Sequence, residues 1–130
     1  MLGNENVTAI SIQDLEEKPF AAAQLYKKMA NIYPDLSTKA LWNTGRFKML
    51  TGGDSLTVER KFGQPFDMVN YAKMIYSCNQ IPIAYDDTAA FHRRWIIVNF
   101  PNKFDEKTAD PQLLQKLTAP GELSGFFNQL

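Results

Sequence analysis

The stretch AKMIYSCN, residues 72–79, decides the fold that this sequence predicts. Apolar and β-favouring residues fill most of the run, which ends in the polar residues Ser77 and Asn79. This pattern is typical of a buried strand whose carboxyl end opens at the edge of a sheet. Open α/β sheets place their binding sites at that edge. The stretch therefore predicts an α/β sheet with functional side chains at its strand ends.

Strand-like and helix-like segments alternate on both sides of residues 72–79, which predicts a mostly parallel sheet flanked by helices. The expected strands cover residues 7–12, 30–33, 56–62, 72–78 and 95–100. The expected helices run from Pro19 to Met29, from Thr38 to Leu50 behind a Ser37 cap, after Thr88 through His92, and onward from Pro111 and Glu122. The run 95–100 is nearly all apolar, as strands buried on both faces are.

The composition is that of a globular domain, with 45% hydrophobic and 22% charged residues. Fourteen basic and 14 acidic residues cancel, so DNA binding would require a local cluster of cations. One cysteine and one histidine rule out a disulfide framework and leave almost no basis for a Cys/His zinc site. The thiol of Cys78, within an apolar run, fits a reducing cytosol, so we expect a cytoplasmic protein.

Two polar residues follow expected strands. Asp35 comes just after the run 30–33, and Asn79 ends the run 72–79. A carboxylate in that position can hold Mg²⁺, and an amide can contact a γ-phosphate or orient the attacking water. Both residue types are also common in turns, so each could equally serve as an ordinary turn residue.

A glycine pair and a basic turn come between those two positions. The segment FKMLTGGD, residues 47–54, carries Lys48 one turn before Gly52 and Gly53, and glycines allow close approach to a ligand or simply end a helix. The turn that follows contains Arg60 and Lys61 beside an aromatic residue. Such a tip could track a nucleic-acid backbone, or it could be a solvated charge at a sheet edge.

Two arginines, Arg93 and Arg94, precede the apolar run 95–100. Arginine supplied to the nucleotide of a neighbouring subunit stabilises charge in phosphoryl transfer. The alternative is a surface salt bridge to Asp86 or Asp87. His92 is expected to pack or cap, with no chemical role.

Taken in order, these features resemble the superfamily 3 helicase domain of primase-helicases from phages, plasmids and poxviruses. The sequence is especially similar to the phage/plasmid primase family found in archaea and bacteria, which implies a protein encoded by a bacterial or archaeal host or by its phages and plasmids. The resemblance spans nearly the whole chain and depends most on residues 47–54, 72–82 and 86–100.

The resemblance implies a nucleotide site. Asp35 matches the acidic end of the Walker B strand and would help to hold Mg²⁺. Asn79 matches the sensor asparagine of motif C. Arg94 matches the arginine finger, with Arg93 as second candidate, and in the family this finger acts across a subunit boundary in a ring, usually a hexamer. ATP and Mg²⁺ are the implied cofactors of the intact parent protein.

The resemblance also implies a DNA-binding element. Residues 48–54 match the B-prime motif, in which Lys48, Thr51, Gly52, Gly53 and Asp54 are the matching positions. That motif leads into a DNA-contacting hairpin, where Arg60 and Lys61 would lie. Lys48, Arg60 and Lys61 are the residues implied to contact DNA.

The sequence departs from the family because the phosphate-binding loop G-x-x-x-x-G-K-[ST] does not occur in it. We therefore expect a partial P-loop NTPase core of the superfamily 3 type that lacks the Walker A strand and loop. Residues 1–104 would be the motor core, and residues 105–130 would begin a helical part. Missing sheet neighbours would make the piece marginally stable or self-associating.

Three functions remain open from the sequence. The first is a fragment of an ATP-dependent DNA helicase that acts in replication of a phage, plasmid or integrated element and does not hydrolyse ATP alone. The second is a non-catalytic module that binds single-stranded DNA or joins a helicase ring. The third is a mobile-element remnant with no retained activity.

Overall fold

The computed structural model describes residues 3–128 of the chain. It divides into two compact units, Met1–Ile96 and Ile97–Leu130. Within the described residues, no helix combines the length and the apolar character that crossing a membrane requires.

The first unit contains a three-stranded parallel sheet, which confirms the α/β prediction. Its strands are β1 (Val7–Thr8), β2 (Ala30–Tyr33) and β5 (Lys73–Tyr76), in the order β1-β2-β5. Both pairs are parallel, and Tyr33 pairs with Tyr76 where β2 and β5 end. Parallel pairing brings the carboxyl ends of β2 and β5 to one edge of the sheet.

An antiparallel hairpin follows β2 in the chain and consists of β3 (Ser55–Val58) and β4 (Phe66–Val69). The expected continuation of β3 through Lys61 and Phe62 is wrong. The amide of Gly63 donates a 2.8 Å hydrogen bond to the carbonyl of Arg60, so a tight turn begins before Lys61. Phe62 has a φ of 65°, which a strand does not accommodate.

The expected helix from Pro19 to Met29 is wrong. Helix α1 spans Ile12–Glu17, and the Oγ of Ser11 caps it by accepting a 3.0 Å hydrogen bond from the amide of Asp14. Lys18 is extended, as residues before a proline usually are, so α1 ends there. A 3₁₀ turn at Ala22–Leu25 follows and buries Ala22, Ala23 and Leu25.

Helix α2 spans Gly45–Gly52 instead of beginning at Thr38. The start differs because Leu41 is extended and forms a parallel bridge with Ala84. The amide of Leu41 donates a 2.8 Å hydrogen bond to the carbonyl of Ile83, which excludes a helix through that position. The predicted stop at the glycine pair is confirmed, since Gly53 has a left-handed φ of 80° at the helix end.

Helix α3 spans Ala89–His92, which confirms the expected short helix through His92, and the hydroxyl of Thr88 caps it. The expected buried strand at residues 95–100 is wrong. Ile96 is 93% exposed and Phe100 is 85% exposed, and no strand in residues 3–128 pairs with this run. Apolar character alone cannot form a strand, because a strand also needs a neighbour for its backbone hydrogen bonds.

The second unit contains helices α4 (Leu113–Leu117) and α5 (Pro120–Phe127). Both expected helices after Pro111 are therefore present. Proline opens α5, two residues before the predicted start, which fits its preference for the first turn of a helix.

Two apolar clusters make up the core of the first unit. One joins α1, the 3₁₀ turn and the hairpin: Ile10, Leu15, Ala21, Ala22, Ala23, Leu25, Leu50, Val58, Met68 and Ala72. The other joins α2 and α3: Ile12, Leu36, Leu41, Phe47 and Phe91. Helix α2 contributes Leu50 to the first and Phe47 to the second, so its position is fixed between the hairpin and α3.

Candidate functional site

The loops that carry Asp35 and Asn79 lie side by side at the carboxyl edge of the parallel sheet. Two backbone hydrogen bonds extend the pairing of β2 and β5 beyond the strands. The amide of Ser77 donates to the carbonyl of Tyr33 at 3.1 Å, and the amide of Leu36 donates to the carbonyl of Ser77 at 2.8 Å. Asp35 and Asn79 are both exposed there. The structure thus brings these two predicted residues to one edge, as the strand-end argument required.

The described residues at this edge do not form a complete set of metal ligands. No group of three or more His, Cys, Asp or Glu side chains within residues 3–128 is placed to hold one. The exposed carboxylate of Asp35 nevertheless fits Mg²⁺ bound with a nucleotide, because that ion commonly uses one or two carboxylates plus substrate phosphates and water.

Asn31 ties the segment between β1 and α1 to the centre of the sheet and is 0% exposed. Its Oδ1 accepts a 2.8 Å hydrogen bond from the amide of Ile10, and its Nδ2 donates a 2.9 Å hydrogen bond to the carbonyl of Ile10. The same Nδ2 also donates to the hydroxyl of Tyr76 at 3.4 Å. Sequence analysis assigned Asn31 no role. The available signal was an amide inside a short apolar strand, which must find partners when buried.

Tyr76, which contacts this asparagine, and Glu16 in α1 both have raised pKa values. Burial, with a smaller effect from Glu17, raises the pKa of Glu16 to about 7, and Arg46 opposes the rise. Burial also raises the pKa of Tyr76 well above its usual range, against the hydrogen bond from Asn31. The Oε1 of Glu16 is buried without a hydrogen-bond partner among the described residues. Helix α1 therefore carries a carboxyl group that takes up a proton near neutral pH.

Lys48, predicted to contact DNA, forms an ion pair with Asp86. The distance from Lys48 Nζ to Asp86 Oδ2 is 2.8 Å. The hydroxyls of Thr44 and Thr88 also donate to this carboxylate, the latter at 2.6 Å. The hydrogen bonds from Lys48, Thr44 and Thr88 hold the pKa of Asp86 well below its usual range. Asp86 thus joins α2 to the start of α3, and a DNA contact by Lys48 stays a prediction.

Arg94 lies against the glycine pair that ends α2. A Cβ on Gly52 would lie 3.2 Å from Arg94 Nη2 and 3.0 Å from Asp54 Oδ2, so the small residue makes room for both side chains. Arg94 Nη1 donates to the carbonyl of Ala90, while its Nε is buried without a partner in the described structure. Neither Arg94 nor the exposed Arg93 forms an ion pair within residues 3–128, so the salt bridge to Asp86 or Asp87 is absent there.

The hairpin turn presents a basic and aromatic tip. Phe62 is 98% exposed, and Lys61 Nζ lies 5.1 Å from the centre of its ring. The guanidinium of Arg60 lies 5.5 Å from the ring of Phe66 and 5.7 Å from the ring of Tyr26. The adjacent aromatic residue was visible in the sequence, but its complete exposure was not. An exposed ring beside a cation can stack on an unpaired base.

Most of the chain matches a known protein family. Residues 1–94 match the family described as "Family of unknown function (DUF5906)", which is more than half of the chain. This protein belongs to the DUF5906 family. The match covers the positions of Asp35, Lys48, Asn79 and Arg94.

This DUF5906 chain is also similar to a viral protein. It is 28% identical over 78 residues to "Putative helicase L207/L206" of Acanthamoeba polyphaga mimivirus. The aligned segment makes up 60% of this chain and 8% of the viral protein, so the chain spans only a small part of that relative. Part of this DUF5906 chain is therefore similar to a protein that is named as a helicase.

Proposed function

We propose that this DUF5906 chain is part of an ATP-dependent DNA helicase of the superfamily 3 type that acts in replication of a phage, plasmid or integrated element. The observation that carries the proposal is the pairing of the Asp35 loop with the Asn79 loop at the carboxyl edge of adjacent parallel strands. The partial similarity to the mimivirus protein supports the same function.

In this proposal, the sheet edge acts on the phosphates of ATP. Asp35 helps to hold Mg²⁺ and Asn79 contacts the γ-phosphate or the attacking water. A phosphate-binding loop outside these 130 residues completes the site, because the sequence does not contain one. Phosphoryl transfer depends on positioning and charge stabilisation, which is the contribution that these two side chains would make.

The hairpin supplies the proposed contact with DNA. Arg60 and Lys61 attract the phosphates of a single strand, and the exposed ring of Phe62 stacks on a base. Because Lys48 is paired with Asp86, its contribution is to hold α2 in place unless that ion pair opens.

The ring form of the helicase, proposed to be a hexamer, gives the arginines their role. Arg94, or else Arg93, reaches the nucleotide of the neighbouring subunit and stabilises the transition state. Arg94 has an unpartnered buried Nε, and Arg93 is exposed. Substituting Arg93 and Arg94 separately therefore shows which of the two acts as the arginine finger.

The experiment that tests the nucleotide site uses a longer protein that contains this sequence together with a phosphate-binding loop. Asp35→Asn is expected to lower DNA-stimulated ATP hydrolysis about a hundredfold or more, because metal at the phosphates contributes several kcal/mol and each ~1.4 kcal/mol is tenfold in rate. Asp87→Asn, which makes the same change in another exposed aspartate, should have little effect. Unchanged turnover in Asp35→Asn would remove Asp35 from the site.

A second candidate function is a non-catalytic module that binds single-stranded DNA. The exposed Phe62 beside Lys61 favours it, since DNA binding at that tip needs no nucleotide. This function predicts DNA binding by the 130-residue chain with no ATP hydrolysis in any longer form of the protein.

A further inference from the structure

A groove lies beside the hairpin turn and continues its basic surface. Its volume is about 590 Å³, and its walls come from β1, the 3₁₀ turn and the hairpin turn. Arg60 and Lys61 line it on one side, and Phe20, Tyr26 and Lys28 line it on the others. The two hairpin cations therefore belong to the tip and to the groove at once.

The groove lies away from the candidate nucleotide edge. Lys28 is separated from the first residue of β2 by a single residue, so it lies at the amino end of that strand. Asp35 follows the carboxyl end of the same strand. A ligand in the groove would thus occupy the opposite edge of the sheet from a nucleotide at Asp35 and Asn79.

The groove concentrates positive charge in a chain whose charges otherwise cancel. Lys28, Arg60 and Lys61 contribute three cations, and no acidic side chain lines the groove among the described residues. Lys27 adds a fourth cation nearby, because its Nζ lies 5.3 Å from the centre of the Tyr26 ring. Lys28 Nζ donates to the backbone carbonyl of Glu5, which positions it without neutralising its charge.

Aromatic rings accompany these cations. Tyr26 packs edge-to-face on Phe66 with ring centroids 4.9 Å apart, and Arg60 lies over both rings. Lys27 has a φ of 60°, a left-handed conformation that a long side chain adopts only at a cost. Cations with aromatic rings are the combination that binds single-stranded nucleic acid, through phosphates and unpaired bases respectively.

We infer that the groove lined by Phe20, Tyr26, Lys28, Arg60 and Lys61 binds a segment of single-stranded nucleic acid that continues from the hairpin tip. This inference deepens the proposed function and rests on the DNA-binding role of the hairpin. It adds Lys27 and Lys28 as phosphate-binding residues, which sequence analysis did not single out.

The test measures fluorescence anisotropy of a labelled oligo-dT of about 16 nucleotides, the upper site size of a single-strand-binding fold, against the full 130-residue chain over a range of salt concentrations. Lys28→Gln removes a groove cation. Lys27→Asn removes the neighbouring cation and substitutes a residue that tolerates positive φ, so it should not lower stability. Lys18→Gln is the matched control, since Lys18 lies outside the groove lining and its side chain is 66% exposed.

The inference predicts that Lys28→Gln and Lys27→Asn each weaken binding and each reduce the slope of log K against log salt by about 0.7, the value for one phosphate contact on a single strand. Lys28→Arg should retain both the affinity and the slope. Lys18→Gln should match the unmodified chain, and thermal melting should show that every variant is folded.

Two results would overturn the inference. If Phe62→Ala weakens binding while Lys28→Gln and Lys27→Asn behave like Lys18→Gln, the groove is not a nucleic-acid site and the hairpin proposal stands. If a duplex competitor binds as tightly as the single strand, the groove does not select unpaired bases. Loss of binding in Lys28→Gln without loss in Phe62→Ala would support the groove and contradict the hairpin tip.

Discussion

The backbone amide of Leu36 donates a 2.8 Å hydrogen bond to the carbonyl oxygen of Ser77, and this bond holds the Asp35 loop against the Asn79 loop. In the sequence, Ser77 lies 42 residues after Asp35. Parallel pairing of β2 with β5 brings them together, so the proposed nucleotide edge is a direct product of the sheet order.

Arg94→Ala, in a helicase that contains this sequence, is expected to lower ATP hydrolysis about 10³-fold or more while leaving nucleotide binding nearly intact, because an arginine finger acts on transition-state charge. Hydrolysis and nucleotide affinity should be measured together, with thermal melting as the folding control, since Arg94 also contacts Ala90. If Arg94→Ala hydrolyses ATP normally and Arg93→Ala does not, the finger is Arg93.

Asp86→Asn is expected to lower the melting temperature at neutral pH, because it weakens the interactions with Lys48, Thr44 and Thr88. The pKa of Asp86 is depressed in the folded state, so its stabilising effect is full above the ordinary aspartate pKa of about 3.9 and is lost as the pH falls below it. Melting curves from neutral pH downward should therefore converge for the two proteins. Asp87→Asn is the control. A difference in melting temperature between Asp86→Asn and the unmodified chain that stays the same at every pH would contradict the account.

Glu16→Gln is expected to raise the melting temperature at about pH 8 and to leave it unchanged near pH 4. The folded pKa of about 7 lies above the ordinary glutamate pKa, so stability is full below about 4.3 and declines as the pH rises toward 7. Glutamine retains the shape and removes the charge that forms in a buried position. Glu5→Gln, at an exposed site, should show no such pH-dependent gain, and equal gains in both variants would argue against a buried charge.

Self-association is expected of the 130-residue chain alone. Within residues 3–128, β5 pairs only with β2, and its outward edge carries Ile75, which is 51% exposed. Unpaired strand edges recruit other strands, and a charge on the edge opposes this. Sedimentation velocity over a range of concentrations should show oligomers that Ile75→Lys reduces and that Ile81→Lys, a control outside the strands, does not. A cooperative, monomeric unfolding transition at high temperature would contradict this expectation.

The parallel sheet and its ends were predictable because short apolar runs closed by polar residues are typical of buried strands that end at a sheet edge. The runs 30–33 and 72–78 became β2 and β5, and Asp35 and Asn79 took the strand-end positions expected of them. The glycine stop of α2 and the short helix after Thr88 were also predictable, since both depend on local backbone effects.

Long-range contacts explain why the other structural features were not predicted correctly from the sequence. Leu41 joins Ala84 through a bridge that local helix propensity cannot indicate. Residues 95–100 have strand composition but no strand partner in the described part of the chain. The groove at Lys28 was likewise invisible, because it forms only when the hairpin turn meets residues from β1 and the 3₁₀ turn.

Single-stranded DNA binding by Phe62→Ala tests the proposed DNA-binding function most directly, because it needs only the 130-residue chain. Stacking of one base on an aromatic ring contributes about 1–3 kcal/mol, so Phe62→Ala should weaken binding of oligo-dT roughly tenfold. Phe62→Leu, which keeps an apolar side chain without a ring, should also weaken it, while Phe62→Tyr should retain the affinity. Equal affinity of the unmodified chain and Phe62→Ala at low salt would contradict the proposed contact of the hairpin tip with DNA.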